Sequence, residues 1–439
     1  MKDKLAYSIL GMIDLIIIIF SIYLAFYTRE SLDSLIGTPF NHDLSNYTTF
    51  YIFYIIIFSM LLNEGIYSKR FDFWHETKQL VKALLFSYVL LMAYLALSKE
   101  ITEVSRFVIS MIFIYSLILL PITKYLTKKN LYKLSLWQRE ATIYGDDTFI
   151  DKEIFSNTYL GYVESESDHA KTVFVNAQNL SQDKLKEILD NEIRTNHEVV
   201  FIPLLKDFEL SQSFIYELSN TRTNLVQLKN RLKSPYRIIL QTIANYVLAI
   251  LLLPILLPII GILAFMIKKE SPGPVFFAHN RIGKNGAIVP TLKFRSMYSD
   301  AQERLEKLLA ENKEIRQEWE TNFKLKNDPR VTKIGNILRK TSLDELPQIF
   351  NVLKGDMNFV GPRPVIQQEL DQYYKDDTEY YLMVKPGITG LWQVSGRSDT
   401  DYDFRIATDK WYVTNWSLWL DIVILFKTVK TVLKRDGAY

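Results

Sequence analysis

Residues 243–267 read IANYVLAILLLPILLPIIGILAFMI, with Asn245 the single polar residue in 25 positions. That is longer than the ~20 residues a helix needs to cross a hydrocarbon core. Pro254 and Pro258 stand in its middle, and each removes a backbone donor and clashes with the carbonyl four residues earlier. Lys229, Arg231, Lys233 and Arg237 precede the run, and Lys268 and Lys269 follow it. Positive flanks belong on the cytoplasmic side, so both ends read as inside. A straight span would put residues 268–439 outside. The expectation is a broken, re-entrant helix over about 237–267 that enters from the cytoplasmic face, bends at Pro254 and Pro258, and returns.

Four further apolar runs precede it, at about 5–27, 49–67, 80–98 and 107–126. Each is close to a spanning length. The first lacks the small-residue cleavage pattern of a signal peptide and is read as retained. Lys2 and Lys4 precede it; Arg29 stands in the first loop; Lys69, Arg70 and Lys78 in the second; Lys99 and Arg106 in the third. Lys124, Lys128, Lys129, Lys133 and Arg139 cluster at and after the fourth run. This alternation predicts an N-inside, four-helix transmembrane bundle over 1–128, with the rest of the chain cytoplasmic. Asp14 lies inside the first span, as a functional carboxylate or as one side of a buried helix–helix hydrogen bond. Pro121 reads as a kink.

Composition narrows the class. At 439 residues the chain has room for roughly three domains. Lys+Arg is 52 against Asp+Glu 49, a net charge of +3, too balanced for a nucleic-acid partner. Cysteine is absent and the five His are far apart, which excludes thiol chemistry and argues against a His-ligated zinc.

Residues 129–228 read as a Rossmann-like α/β domain. ATIYG (141–145), TVFVNA (172–177) and EVVFIPL (198–204) are short strands, and 181–194 is a helical pattern with Ser181 as its N-cap. Strands alternating with helices imply a small parallel sheet. The first strand ends in Gly145-Asp146-Asp147-Thr148, without the second and third glycines that let a pyrophosphate approach, so no nucleotide is expected there.

The remaining chain, 229–439, carries the chemistry. LKFRSM (292–297) sets Lys293 and Arg295 on one face of a strand, whose side-chain period is two. NDPRVT (327–332) forms a turn. In RKTSLDELP (339–347), Ser342 suits the N-cap of a helix with Asp344 and Glu345 in its first turn. Acids there answer the helix dipole without any chemistry. GDMNFVGPRP (355–364) holds Arg363 between two prolines, and a stiff Arg suits bidentate phosphate binding. PGITGLWQVSGR (386–397) adds flexible glycines, Trp392 and Arg397. Lys293, Arg295, Arg339, Arg363 and Arg397 surround an anion or are unrelated surface cations; a carboxylate among them is a competent phosphorus nucleophile.

From about 231 to 439 the chain resembles the bacterial sugar transferases, the monotopic phosphoglycosyl transferases. The resemblance rests on LKFRSM, RKTSLDELPQIFNVLKGDMNFVGPRP, KPGITGLWQVSGR and the closing KRDGAY. The whole architecture is similar to undecaprenyl-phosphate galactose phosphotransferases. This implies transfer of a sugar 1-phosphate, galactose 1-phosphate first, from a UDP-sugar to undecaprenyl phosphate with release of UMP. Glucose or another hexose is the alternative, and a silent assembly scaffold a second. By the same resemblance Asp344 is the nucleophile, forms a covalent phosphosugar and stands near or on a Mg²⁺ ion. Glu345 assists, Arg363 holds the transferred phosphate, and Lys293, Arg295, Arg339 and Arg397 serve substrate or fold. Family members enter one leaflet through a proline-broken helix, sit in the bacterial inner membrane and suggest a homodimer. This chain departs in two places: Leu257-Pro258 replaces a common Ser-Pro, and Arg237-Ile238-Ile239-Leu240-Gln241 lacks an Asp many relatives carry.

The tail joins Trp411, Trp416 and Trp419 to Lys427, Lys430, Lys434 and Arg435, as a membrane-surface helix or a core helix. The stretch 302–320 reads as a solvated helix.

Overall fold

The computed structural model describes residues 2–36, 40–98, 104–144, 153–165, 170, 172–177, 180–195, 198–202, 214–218, 223–227, 232, 234–311, 316, 328–395 and 401–434. The chain divides into two compact units, Met1–Leu205 and Lys206–Tyr439. The domain boundary expected at 228/229 lies outside the described residues, as do Arg397 and the Gly145–Thr148 turn.

In the first unit four apolar helices, α1 (Lys2–Ser31), α2 (Tyr51–Asn63), α3 (Phe73–Ser98) and α4 (Arg106–Lys133), pack around one apolar core. α1, α3, α4 and the segment Ser45–Asn63 that ends in α2 are long and apolar enough to cross a membrane. Helix α4 runs through Pro121 and past residue 128 to Lys133.

The sequence counted Lys124 and Lys128 as loop charges, and the structure corrects this. Both are fully buried. Lys124 pairs with Asp14 at 2.7 Å, and the Tyr67 hydroxyl donates to the same carboxylate at 2.5 Å. Lys128 pairs with the buried Glu76, which also accepts from the Tyr159 hydroxyl at 2.8 Å. Buried charges persist where each is answered by an opposite one, and the two acids on α1 and α3 answer the two lysines on α4. Asp14 is thus one side of a helix–helix contact.

Tyr159 lies beyond the helices, between the first two strands of a parallel sheet of β1 (Arg139–Tyr144), β2 (Tyr162–Glu164), β3 (Thr172–Asn176) and β4 (Glu198–Ile202), in spatial order β2-β1-β3-β4. The three expected strands are present, and β2 is an addition. α5 (Gln182–Thr195) follows β3, and the Ser181 hydroxyl accepts from the Lys184 N–H at 3.4 Å, as an N-cap does. Arg70 fastens sheet to helices: its Nη1 donates to the carbonyls of Trp137, Leu160 and Gly161, and its Nη2 to Asp3. These contacts explain why helices and sheet form one unit.

The second unit opens with a hairpin of β5 (Phe214–Leu218) and β6 (Thr223–Gln227). α6 (Pro235–Glu270) then runs 36 residues as one helical segment containing Pro254 and Pro258. The backbone stays helical through both prolines, so the interruption expected there is not seen. α6 is tied to the same body at two places. At one, in its first third, the Asn245 side chain accepts the Phe359 N–H at 2.7 Å. At the other, the two Glu270 oxygens accept the N–H groups of Lys333 and Ile334 at 2.7 and 2.9 Å. Between them Ile250, Leu251, Ile255, Leu257, Ile262 and Phe265 are exposed.

An antiparallel hairpin follows, β7 (Phe276–Ile282) and β8 (Ile288–Phe294). Then come α7 (Ala301–Glu311), α8 (Lys333–Thr341), α9 (Gln348–Lys354) and a short parallel pair, β9 (Asn358–Val360) with β10 (Gly387–Thr389). α10 (Leu391–Ser395), α11 (Tyr402–Thr414) and α12 (Leu418–Lys434) close the chain. Trp416 is buried, and its indole N–H donates to Asp421 at 3.0 Å. It anchors the core, whereas Phe426 and Val429 of the same tail are exposed.

Gly335 seats α8 on the hairpin's exit. A Cβ there would lie 2.0 Å from the Ser296 carbonyl oxygen. Gly335→Ala is expected to cost about 1–3 kcal/mol through overpacking, measurable as a lower melting temperature.

Candidate active site

The site is assembled from one face of the β7–β8 hairpin and the turn after α8. In the antiparallel register His279 faces Thr291, Arg281 faces Val289 and Phe277 faces Lys293. With a side-chain period of two, His279, Arg281, Thr291 and Lys293 share a face, and all four line one open cleft of about 340 Å³. Glu345, Gln348, Arg363, Pro364, Ile388 and Gln393 complete its wall.

Asp344 and Glu345 occupy a single 3₁₀ turn, Leu343–Glu345, between α8 and Pro347. Ser342 stands at the N-cap position of this turn, with both acids in it, as expected, but the expected side-chain capping bond is not observed. Ser342 also ends α8, in the left-handed conformation, φ 57°. A non-glycine residue there costs roughly 1–2 kcal/mol, and it turns the chain sharply enough to aim both acids at β8. Lys293 Nζ lies 2.6 Å from Glu345 Oε1 and 3.8 Å from Asp344 Oδ2. Glu345 is thereby engaged, while Asp344 keeps acceptor capacity.

The two carboxyls titrate apart. Burial pushes Asp344 above the usual carboxylate range and Glu345 adds to it, against the pull of Lys293 and Arg339. Burial pushes Glu345 up as well, but Lys293, Arg363 and Arg281 outweigh it and hold Glu345 below that range. Burial, with Arg281 and Lys293 alongside, keeps His279 below its ordinary value.

Arg363 projects from a fixed segment. The Pro362 carbonyl accepts from the Gly387 N–H at 2.9 Å and the Val365 carbonyl from the Ile282 N–H at 2.8 Å. Close backbone approach makes this possible: a Cβ on Gly387 would lie 2.1 Å from the Gly361 nitrogen. Arg281 is held by Glu369 at 3.1 Å.

The structure therefore brings together Asp344, Glu345, Lys293 and Arg363. Arg339 stands near enough to bias Asp344, with its Nε donating to Ser296 Oγ at 2.9 Å. Arg295 goes elsewhere. The strand ends at Phe294, and the Arg295 guanidinium donates to the Ser271 and Pro272 carbonyls at 2.7 Å each. It holds the chain leaving α6.

His279, Arg281, Thr291, Gln348 and Gln393 were missed. A signal existed for the first three: Asn285-Gly286, with φ 56° and 79°, is a hairpin turn. Reading it would have paired H-x-R with T-x-K across the strands.

Among the described residues no group of three or more His, Asp or Glu forms a metal cage. Magnesium is commonly held by one or two carboxylates together with substrate phosphates and waters, and the partly free Asp344 fits that pattern.

Lys293→Met should raise the pKa of both carboxyls, because Lys293 lowers each. The acid limb of the rate–pH profile is then expected to move to higher pH, with the remaining activity lost earlier on acidification.

Residues 236–435 match the family described as bacterial sugar transferase. The chain is 36% identical to the undecaprenyl-phosphate galactose phosphotransferase of Salmonella typhimurium over 404 residues, 85% of this chain and 84% of that protein. It is 36% identical to the UDP-galactose-lipid carrier transferase of Erwinia amylovora, over 85% of this chain and 84% of that one. Identity to the UDP-glucose:undecaprenyl-phosphate glucose-1-phosphate transferase of Escherichia coli is 35%, over 65% and 60% respectively.

Proposed function

The chain belongs to the bacterial sugar transferase family, and on that premise we propose that it transfers a hexose 1-phosphate from a UDP-sugar to undecaprenyl phosphate. Galactose 1-phosphate is the first candidate, because two relatives covering most of the chain carry galactose in their names. The product starts a lipid-linked surface polysaccharide.

The observation that carries this reading is one cleft in which Glu345 meets Lys293, Arg281 and Arg363, with Asp344 beside it in the same turn, 3.8 Å from the same Lys293. An Asp344 oxygen attacks the phosphorus that bears the sugar, the bond to the bridging oxygen breaks, and UMP leaves with that electron pair. The intermediate is a sugar phosphate joined to Asp344 as an acyl phosphate, a mixed carboxylic–phosphoric anhydride. An oxygen of undecaprenyl phosphate then attacks the same phosphorus, and the carboxylate is released. Phosphoryl transfer depends chiefly on positioning and charge stabilisation. Arg363 meets the transferred phosphate, and Lys293 offsets charge while Glu345 keeps it in place. Asp344 would hold Mg²⁺, which when bound supplies positive charge against the diphosphate.

The re-entrant reading of α6 is supported by its two ties to one body, at Asn245 and at Glu270, and by the exposed apolar stretch between them. With the first-unit helices spanning, the second unit lies on the cytoplasmic face of the inner membrane. Homodimerisation belongs to the same reading, and mass photometry in nanodiscs tests it.

The deciding experiment is UMP release by nanodisc-embedded protein with Mg²⁺, undecaprenyl phosphate and one donor at a time. UDP-galactose is expected to be turned over. Turnover of UDP-glucose or UDP-N-acetylglucosamine instead reassigns the sugar, and no release from any donor overturns the reading.

A further inference from the structure

The cleft contains two kinds of wall. Lys293, Arg281 and Arg363 suit phosphate oxygens. Opposite in character are Thr291, 2% exposed, and Gln393, which line the same cleft. Thr291 Oγ1 and Gln393 Oε1 are both buried with no hydrogen-bond partner among the described residues. Such groups are costly to leave unmade and rare in native proteins, so two of them lining one cleft mark a place where a ligand completes the bonding. A Cβ on Gly390 would lie 2.6 Å from the Gly361 carbonyl and 3.2 Å from Gln393 Oε1, so the glycine leaves room for the side chain to lie there.

The chemistry of the two groups limits what they meet. The Gln393 NH₂ could donate to a phosphate, but the buried Oε1 needs a proton donor, and an ionised phosphate has none to give. A hydroxyl both donates and accepts, as Thr291 does. Resting on the donor reading above, we propose that Thr291 and Gln393 bind hydroxyl groups of the donor's hexose ring and set which hexose is transferred. They contact the sugar while the cations hold the diphosphate. Discrimination between epimers follows from which hydroxyl reaches the buried pair, because a site built for a hydroxyl rejects the isomer that leaves it unpaired.

The test uses the full chain in nanodiscs with Thr291→Val, Thr291→Ser and Gln393→Leu. Thr291→Val and Gln393→Leu are each expected to lower kcat/KM for the preferred UDP-hexose about tenfold, the scale of one lost hydrogen bond. The ratio between the galactose and glucose donors should fall toward one. UMP affinity, read by calorimetry, should stay unchanged, and Thr291→Ser should retain wild-type selectivity. Parallel loss of UMP affinity would make the pair a nucleotide contact and overturn the proposal. So would an equal fall for every donor, loss in Thr291→Ser as well as Thr291→Val, or no change. If the wild type turns over no donor, the transfer reading fails separately. Calorimetry then decides: wild type must bind a UDP-hexose more tightly than UMP, and the Val and Leu variants must close that gap. Equal wild-type affinities overturn the assignment.

Discussion

Asp344→Asn is expected to lower UMP release by about a thousandfold or more, the scale on which a missing nucleophile acts. The amide is nearly isosteric with the carboxylate and loses only the charge that attacks phosphorus. Lys293 stays paired to Glu345 at 2.6 Å, so the turn keeps its main tie to β8 and melting should barely change. Intact-mass measurement after mixing with donor alone should find a hexose phosphate adduct on wild type and none on the variant. Retained turnover would remove Asp344 from the nucleophile's role. Glu345→Gln loosens Lys293 as well, so its loss of rate reports positioning together with charge and separates the two acids less cleanly.

The second large effect lies in the first unit. Glu76→Ala leaves Lys128 fully buried without its counter-charge and removes the acceptor of the Tyr159 hydroxyl. Breaking a buried pair from one side costs about 3–5 kcal/mol. The melting transition of the purified chain should fall accordingly. Glu76→Ala combined with Lys128→Met is expected to recover much of the loss, because a buried pair replaced by apolar groups is often neutral. A double-mutant cycle measures the coupling. Failure of the second change to restore stability would show that Tyr159, rather than Lys128, is the partner that matters.

Hydrophobic periodicity made the architecture legible: the apolar runs became helices, and 172–176 and 198–202 became neighbouring parallel strands. Asp344, Glu345, Lys293 and Arg363 were legible because residue type and local stiffness pointed to phosphate chemistry before any contact was known. The ion network was not. Asp14, Glu76 and Lys124 are far apart in the chain, and only their common burial joins them. Lys124 and Lys128 carried a faint sign, since an i, i+4 spacing places both on one helical face. Arg295 misled because alternation holds only as long as the strand does, and β8 stops one residue short. Ser342 misled only in its side chain, whose type suits a capping bond, while the chain uses its backbone to end the helix before it.

Glu270 makes a mechanical joint. It is the last residue of α6, and its two oxygens grip the first N–H groups of α8. The far end of α8 carries Arg339 and Ser342, next to the acid pair. Nine residues of helix rise about 13 Å, so α8 is a rigid lever with its fulcrum on Ser296 beneath Gly335. Through Glu270 the exposed apolar helix and the turn that holds Asp344 stand at the two ends of one arm, so the placement of the acid pair depends on a residue 74 positions earlier in the chain.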